Sequence, residues 1–598
     1  LQSSPTGRSD GASAAFLGRR AAPAALVVLS ALMFAAVSLR PLSHSELRYV
    51  QAGAEMVASG DWVVPHLSYV PYFEKPILAY WLEAASQLAF GTGELAVRLP
   101  SLLACVAMVW TTWAWGRALR GPAFGLGAAA LLASSVMFQE MGTAVLTDPP
   151  FAAFLVFAWY AFWRHDREPE SRWIWAFWAA LGFSVLTKGP LGPALVGTSI
   201  VAYLVIAGRW KDLSRMRLAP GVAVVVAINL PWSVLVWMRD PRFLTFFYLR
   251  QNLQALVDEK VNHPGSAFMY LAWFPLVLFP FAVIGVWAAG SAAWKAAVAL
   301  KERVVGPRAA PRDEAGLYLA CSLVVPLLVL SVSASKLTTY ILPIFPSVAL
   351  LAAAWVADQM ERPGRVLRFG TTLQGLAMLA GGVVVLAAAS RFPERVAQGV
   401  ETALSRPVVG LFAAVSLLLP MILGGLAMGR GRVVGGMALA GAGAFASLLA
   451  VNALGPAFGM IPESTDLVRR LQLVRGPDDL VVVSGPRSDE YAIVRGLGER
   501  PYIWGRAAEL AMGHFTEVTP VTRPIPDDIY RLGDDDHPFP ESPWLLTRRR
   551  LKAEWRGPRR VWLVAGTSDL EVLAATGFEV MTFAVNGGTV ILTNHPLP

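Results

Sequence analysis

Apolar runs close to membrane-crossing length recur along the chain from residue 22 to about residue 454. Among them are 22–38, 172–187, 217–237, 268–293 and 432–454. A helix needs roughly 20 apolar residues to cross the hydrocarbon core. In hydrocarbon every backbone N–H and C=O must find a partner inside the protein, so runs of this kind fold as helices. Composition points the same way: 55% of residues are hydrophobic and 16% charged, against roughly 25% charged in soluble domains. The pattern predicts a polytopic α-helical membrane protein with about 13 transmembrane helices. Cys105 and Cys321 both lie in apolar runs and read as packing residues, not as a disulfide framework or a zinc cluster.

The charge between the runs alternates, basic loops with longer, chemically mixed ones. One set of loops reads LGRRAAP, GRALRG, WRHDREPESR, GRWKDLSRMR, KAAVALKERVVGPRAAPR, MERPGRVLR and GRGR. The positive-inside rule assigns these to the cytoplasm. They account for much of the formal charge of +9, and their dispersal over short loops implies no nucleic-acid partner. Residues 1–21 read as an N-terminal cytoplasmic segment whose LQSS start looks like a processing scar. No cleavable signal peptide is visible, and 22–38 reads as an uncleaved first span.

The opposite set comprises 40–98, 139–149, 187–191, 239–267, 333–340 and 392–407. An odd number of spans beginning inside also puts the tail outside. From 455 onward the pattern changes. DDLVVVSG and RRVWLVAG read as strands, DLEVLAATG as a short helix, and FEVMTFAVNGGTVILTN as a hairpin turning at Asn586-Gly587-Gly588. The expected organisation is therefore a membrane domain over 22–454, with large outer loops 40–98 and 239–267, followed by a soluble α/β domain over 455–598.

The outer loops carry charges in unusual company. PYFEKPILAYW (71–81) sets Glu74 and Lys75 between Tyr72, Phe73 and Pro76. SELRYVQAGAEMVASGDW predicts a helix over about 45–58 that stops at Gly60-Asp61, with Tyr49, Ala52, Met56 and Val57 on one face. This helix reads as lying in the membrane interface, with Glu46 and Arg48 at its beginning. Taken alone, Glu46 and Arg48 fit a solvated helix end as well as they fit a site, and Glu74 and Lys75 fit a snorkelling pair at the membrane boundary equally well. The other loops shift the balance. LTDPP puts Asp148 at the head of an apolar run, and LTKGPLG puts Lys188 at a Gly-Pro break. RQNLQALVDEKVNHPGSAFMYLAWFP brings Arg250 and His263, and SASKLTTYILPIFP brings Lys336 and Tyr340. Cations with a few carboxylates on one side suit an anionic, lipid-attached ligand, held where ionisable groups line a wet cavity. Glu74 and His263 are also O and N donors for a divalent ion such as zinc, although so few donors better describe an interfacial histidine with no metal.

SELRYV, ASGDWVVPHL, YFEKPILAYW, LTDPP, LTKGPLG, NHPGSAFMYLAWFP and KLTTYILPIFP, in that order over residues 20 to 350, resemble the bacterial 4-amino-4-deoxy-L-arabinose (aminoarabinose) lipid A transferases. These are polytopic glycosyltransferases of the GT-C type, related to protein O-mannosyltransferases. The resemblance implies transfer of aminoarabinose from undecaprenyl phosphate to a lipid A phosphate, at the periplasmic face of the bacterial inner membrane. Such transfer masks negative charge on lipopolysaccharide and gives resistance to polymyxin and other cationic peptides. It implies a site in which Lys75 and Arg48 stabilise the leaving phosphate, with Lys188 and Arg250 behind them. Asp148 and Glu46 orient these cations or contact the sugar amine, and Tyr49, Tyr72, Lys336 and Tyr340 line the substrates. The chain departs from the family at Ser45, where an Asp usually precedes the Glu. Ser45 cannot act as a base, but a phosphate monoester with a second pKa of about 6 is already an anionic nucleophile.

Other readings remain. A related GT-C enzyme could use another polyprenyl-phosphate sugar or a protein acceptor. A flippase would move the lipid-linked sugar without cutting it, but transporters tend toward repeated halves and midplane charges, neither of which is apparent. A membrane scaffold leaves YFEKP and its companions unexplained.

Overall fold

The computed structural model describes residues 23–34, 44–67, 70–241, 265–306, 313–333, 335–361, 432–454, 463–484, 501–506, 548–567, 578–586 and 589–596, with scattered positions between them. The N-terminal segment 1–21, loop 392–407, Arg250, His263, Gly587, Gly588 and most of DLEVLAATG lie outside the described residues. The chain divides into two compact units. One comprises 1–40, 98–231 and 252–458, the other 41–97, 232–251 and 459–598.

The first unit is helical. Its elements begin with α1 (Pro23–Phe34) and, after the intervening α2 (His44–Ser59) and α3 (Leu78–Phe90) of the other unit, continue with α4 (Glu94–Arg120), α5 (Pro122–Ala133), α6 (Val136–Gly142), α7 (Asp148–Arg167), α8 (Trp173–Lys188), α9 (Leu191–Ile206) and α10 (Leu218–Arg239). Then come α11 (Met269–Val277), α12 (Ala282–Val305), α13 (Glu314–Val332), a 3₁₀ segment Thr338–Ile344, α14 (Phe345–Glu361) and α15 (Val433–Leu454). Among the described residues five helices are long and apolar enough to cross a membrane, or six if the α5–α6 pair, bent by 76°, is one span. The run 268–293 is not one helix. It breaks between Val277 and Ala282, around Pro280, whose ring removes a backbone donor.

Packing in this unit is dense and aromatic. Tyr318 of α13 is buried among Trp163, Phe162, Tyr203 and Trp115, with ring centroids 5.0–5.8 Å away. Its hydroxyl donates to the Trp159 carbonyl at 2.8 Å, which satisfies the one polar atom it brings inside. Gly116 and Gly125 let α4 and α5 close their tight turn. A Cβ on Gly125 would stand 2.4 Å from the Trp113 carbonyl oxygen, a backbone atom that cannot step aside.

Basic helix ends gather at one end of the unit. Arg209 grips Asp166 through two nitrogens (2.6 and 3.0 Å), Arg167 meets Glu314 at 3.1 Å, and Arg164 meets Glu168 at 2.8 Å. Since α7 starts at Asp148 and ends at Arg167, that basic end is one helix length from Asp148.

In the second unit α2 packs along α3, and the short antiparallel strands β1 (His66–Leu67) and β2 (Val70–Pro71) lead into the FEKP segment. Helix α2 ends where expected, at Gly60, whose φ of 69° favours glycine. Its setting differs from the interfacial helix that the sequence suggests. Glu46, Val50, Gln51, Ala52, Glu55 and Met56 are all buried, and Gln87 of α3 donates to the Val50 carbonyl at 2.9 Å. A helix whose inward face carries Glu and Gln needs protein partners, not lipid.

The remainder of this unit is a six-stranded mixed sheet. Its strands are β3 (Leu480–Ser484), β4 (Tyr502–Arg506), β5 (Arg531–Leu532), β6 (Val561–Gly566), β7 (Met581–Asn586) and β8 (Thr589–Thr593), in the order β5-β4-β3-β6-β8-β7. β3 runs parallel to β4 and β6, whereas the β7–β8 hairpin is antiparallel, pairing Asn586 with Thr589. Period-two alternation sends Leu480 and Val482 to one face and Val481 and Val483 to the other. Leu551 and Trp555 of α17 (Arg548–Arg556) cover the first face, and Leu467, Val468 and Leu471 of α16 (Glu463–Val474) cover the second. Burial on both faces explains why these strands read as continuous apolar runs.

Candidate functional site

Two charged constellations are formed, one in each unit. In the second unit β1 and β2 turn the chain back so that the Tyr72 N–H donates to the Pro65 carbonyl at 2.8 Å. This fixes the backbone that carries Glu74 and Lys75, and buried Pro76 leads into α3. Glu74 is the hub. Lys75 Nζ donates to its Oε1 at 3.2 Å, Arg48 of α2 approaches Oε2 at 3.5 Å, and the Tyr72 hydroxyl donates to Oε2. Tyr49 and Tyr72 both pack on Tyr80, with centroids 6.3 and 6.2 Å apart, and the Arg48 guanidinium lies over the Tyr49 ring.

Burial raises the Glu74 carboxyl, but Lys75, Arg48 and the Tyr72 hydroxyl outweigh it and hold the pKa at about 2. The Tyr72 phenol is pushed well above its ordinary value by burial and then by Glu74, so it stays protonated and keeps donating. The result is a fixed carboxylate presenting two cations. The Arg48 and Lys75 side chains remain 24% and 19% exposed, which leaves them able to reach an anion.

The second constellation is more enclosed. Thr-Asp-Pro-Pro starts α7, with prolines in the first turn and Asp148 at the helix end that favours negative charge. Lys188 closes α8 at the end that favours positive charge, before Gly189 with φ of 86°. Because α7 and α8 are packed antiparallel neighbours, the first residue of one meets the last of the other. Lys188 Nζ donates to Asp148 Oδ1 at 2.6 Å, with side chains only 8% and 11% exposed. The ammonium also lies 4.2 Å from the centroid of Tyr340, in the 3₁₀ segment, and 5.6 Å from that of Phe151. Lys336 is buried and donates to the Ser333 carbonyl. Thr147 Oγ1 and Ser335 Oγ are buried without a hydrogen-bond partner.

Of the residues singled out in the sequence, Arg48, Tyr49, Tyr72, Glu74 and Lys75 come together in the second unit, and Asp148, Lys188 and Tyr340 in the first. Glu46 is buried in the first turn of α2. Tyr80 was passed over, since in sequence it closes an apolar run. Its hydroxyl is fully buried, unpartnered, and ringed by Tyr49 and Tyr72. Phe151 was passed over too, although its position three residues after Asp148 on one helix face is a legible signal. Among the described residues no three His, Cys, Asp or Glu side chains gather as metal ligands. Both Glu74 oxygens already serve Tyr72, Arg48 and Lys75, and His263, the other candidate ligand, lies outside the described residues.

Helical bundle, charged helix ends and appended mixed sheet define a polytopic membrane protein of the GT-C glycosyltransferase fold. A family model described as dolichyl-phosphate-mannose-protein mannosyltransferase matches residues 74–237. The chain is similar in sequence to bacterial proteins named as aminoarabinose transferases. It is 29% identical over 347 residues, 57% of this chain and 60% of the relative, to the undecaprenyl phosphate-alpha-4-amino-4-deoxy-L-arabinose arabinosyl transferase of Edwardsiella ictaluri (strain 93-146). It is 30% identical over 380 residues, 61% of this chain and 64% of the relative, to the protein of the same name from Pectobacterium atrosepticum. The match thus spans less than two thirds of the length of these relatives. The crystal structure of ArnT from Cupriavidus metallidurans bound to undecaprenyl phosphate shares the fold with a TM-score of 0.75 at 22% identity, over 96% of this chain and 97% of that one.

Proposed function

We propose that this protein transfers 4-amino-4-deoxy-L-arabinose from undecaprenyl phosphate to a phosphate of lipid A, at the periplasmic face of the bacterial inner membrane. The observation that carries the reading is the pair of accessible cations, Arg48 and Lys75, held on the ionised Glu74. In the reaction an acceptor phosphate oxygen attacks the anomeric carbon. The bond from that carbon to the donor phosphate oxygen breaks, and undecaprenyl phosphate leaves with the electron pair. Charge grows on the leaving phosphate, and cations fixed in advance stabilise it without reorganising. Glu74 serves by fixing the cations, and Tyr49 and Tyr72 by packing beside them. Asp148 neutralises Lys188 and sets its position over Tyr340, while Glu46, Lys336 and Arg250 are further candidates for substrate contact. The acceptor needs no base, which accommodates Ser45. The names of the curated relatives, which specify an undecaprenyl phosphate-linked aminoarabinose, support the choice of sugar and carrier.

Lipid A mass spectra from cells with and without the protein test this reading. The expected result is a species heavier by one aminopentose only where the protein is made. Unmodified lipid A alongside a glycosylated protein would favour a protein acceptor instead, in line with the mannosyltransferase family model.

A further inference from the structure

At the basic end of the helical unit a cavity of about 570 Å³ opens between the C-terminal half of α12 and the ends of α4, α13 and α14. It is separate from both constellations described above, and its size is that of a small-molecule site. Ser291, Ala292, Lys295, Ala299 and Glu302 of α12 all line it, and their spacing of one, three and four residues places them on one helical stripe. Small side chains along that stripe leave the room. Leu119, Phe124, Leu351 and Trp355 form the opposite, apolar wall.

Its charges are distributed unevenly. The charged lining residues are Arg120, Lys295, Glu302, Asp313 and Asp358. Arg120 is matched by Asp358 at 2.5 Å, and Asp313 caps the start of α13 by accepting from the Gly316 N–H at 2.8 Å. Lys295 stands apart. It lies midway along a helix apolar enough to cross a membrane, beside Trp294, which is 71% exposed. No ion pair or hydrogen bond to another described residue involves it. A cation within a span is costly unless it meets water or an anion.

We propose that this cavity binds a zwitterionic membrane phospholipid of the phosphatidylethanolamine type. Lys295 takes the phosphate, the carboxylate rim of Glu302, Asp313 and Asp358 faces the ammonium, and an acyl chain lies along the Leu119–Phe124–Trp355 wall. Two cations against three carboxylates favour a headgroup that carries its own positive charge over a purely anionic one. The site is at the end of the bundle whose loops carry the excess Lys and Arg, so the lipid comes from that leaflet.

Native mass spectrometry of the full-length protein in mild detergent, titrated with phosphatidylethanolamine or phosphatidylglycerol, tests the assignment. Wild type is expected to retain one phosphatidylethanolamine and to bind phosphatidylglycerol at least several-fold more weakly. Lys295→Ala removes the phosphate contact and Ala299→Phe fills the cavity. Each is expected to weaken retention about tenfold, while Lys301→Ala, exposed on the same helix outside the cavity, leaves it unchanged. Equal retention by wild type and both cavity variants, each with an unaltered thermal unfolding midpoint, overturns the site. Equal or tighter binding of phosphatidylglycerol overturns the choice of headgroup.

Discussion

Lys188 Nζ and Asp148 Oδ1, forty residues apart in sequence, meet at 2.6 Å where the end of α8 lies beside the start of α7. Each charge sits at the helix end that favours its sign, and each is almost wholly withdrawn from water. Asp148→Asn therefore leaves a buried ammonium unmatched. Breaking such a pair from one side costs about 3–5 kcal/mol, more than the near-neutral effect expected of an exposed helix start. The variant should unfold at lower temperature as well as lose transfer. Asp148→Asn combined with Lys188→Gln should recover much of the stability but not the activity. A double-mutant cycle on thermal unfolding in detergent measures this. Additive losses would show that the two side chains do not act as a pair.

Glu74 predicts a pH dependence. Its folded-state pKa of about 2 is below the ordinary 4.5. A depressed carboxyl contributes stability that is fully present above the ordinary value and is lost as pH falls through the folded one. The advantage of wild type over Glu74→Gln should be constant above pH 5 and shrink as the pH drops from 4.5 toward 2. Unfolding of both proteins at pH 6 and pH 3 checks it, and an unchanged gap would mean that the carboxylate is not held by its cations.

Lys75→Gln separates phosphate binding from membrane anchoring. Glu74 keeps Arg48 and Tyr72 as partners, so folding should stay near wild type. Transfer should fall by roughly 10²–10³, the usual cost of removing one group that stabilises developing negative charge. Arg at this position should restore activity poorly, since its planar fork replaces a compact charge. Wild-type lipid A modification by the Gln variant would make Lys75 an anchor only.

Ser45→Ala should retain most activity, because an acceptor phosphate is already ionised. Loss of a general base typically costs 10²–10⁴-fold, so a drop of that size in single-turnover transfer would show that Ser45 helps activate the nucleophile.

Alternating loop charge predicts that the sheet domain is outside the cytoplasm. An alkaline phosphatase fused after residue 598 should be active, and a cytoplasm-dependent fluorescent fusion at the same point dark. The reverse pattern would invert the topology.

What the sequence determined by itself was carried by local chemistry. Apolar runs set the helices 173–188, 218–239 and 433–454 to within a residue or two, because backbone groups in hydrocarbon have no other way to pair. Gly60, Gly189 and the Asn586 hairpin were legible because turn residues act on their own neighbours. Glu74 and Lys75 were conspicuous because charges among rings and proline are rare. Only the tertiary structure decided which charges meet. Arg48 reaches Glu74 because α2 packs on α3, and Lys188 reaches Asp148 because α7 and α8 are antiparallel. The buried polar face of α2, the place of Tyr80 among the tyrosines and the isolation of Lys295 among the described residues were hidden for the same reason. Burial and pairing depend on neighbours distant in sequence, and no local pattern encodes them.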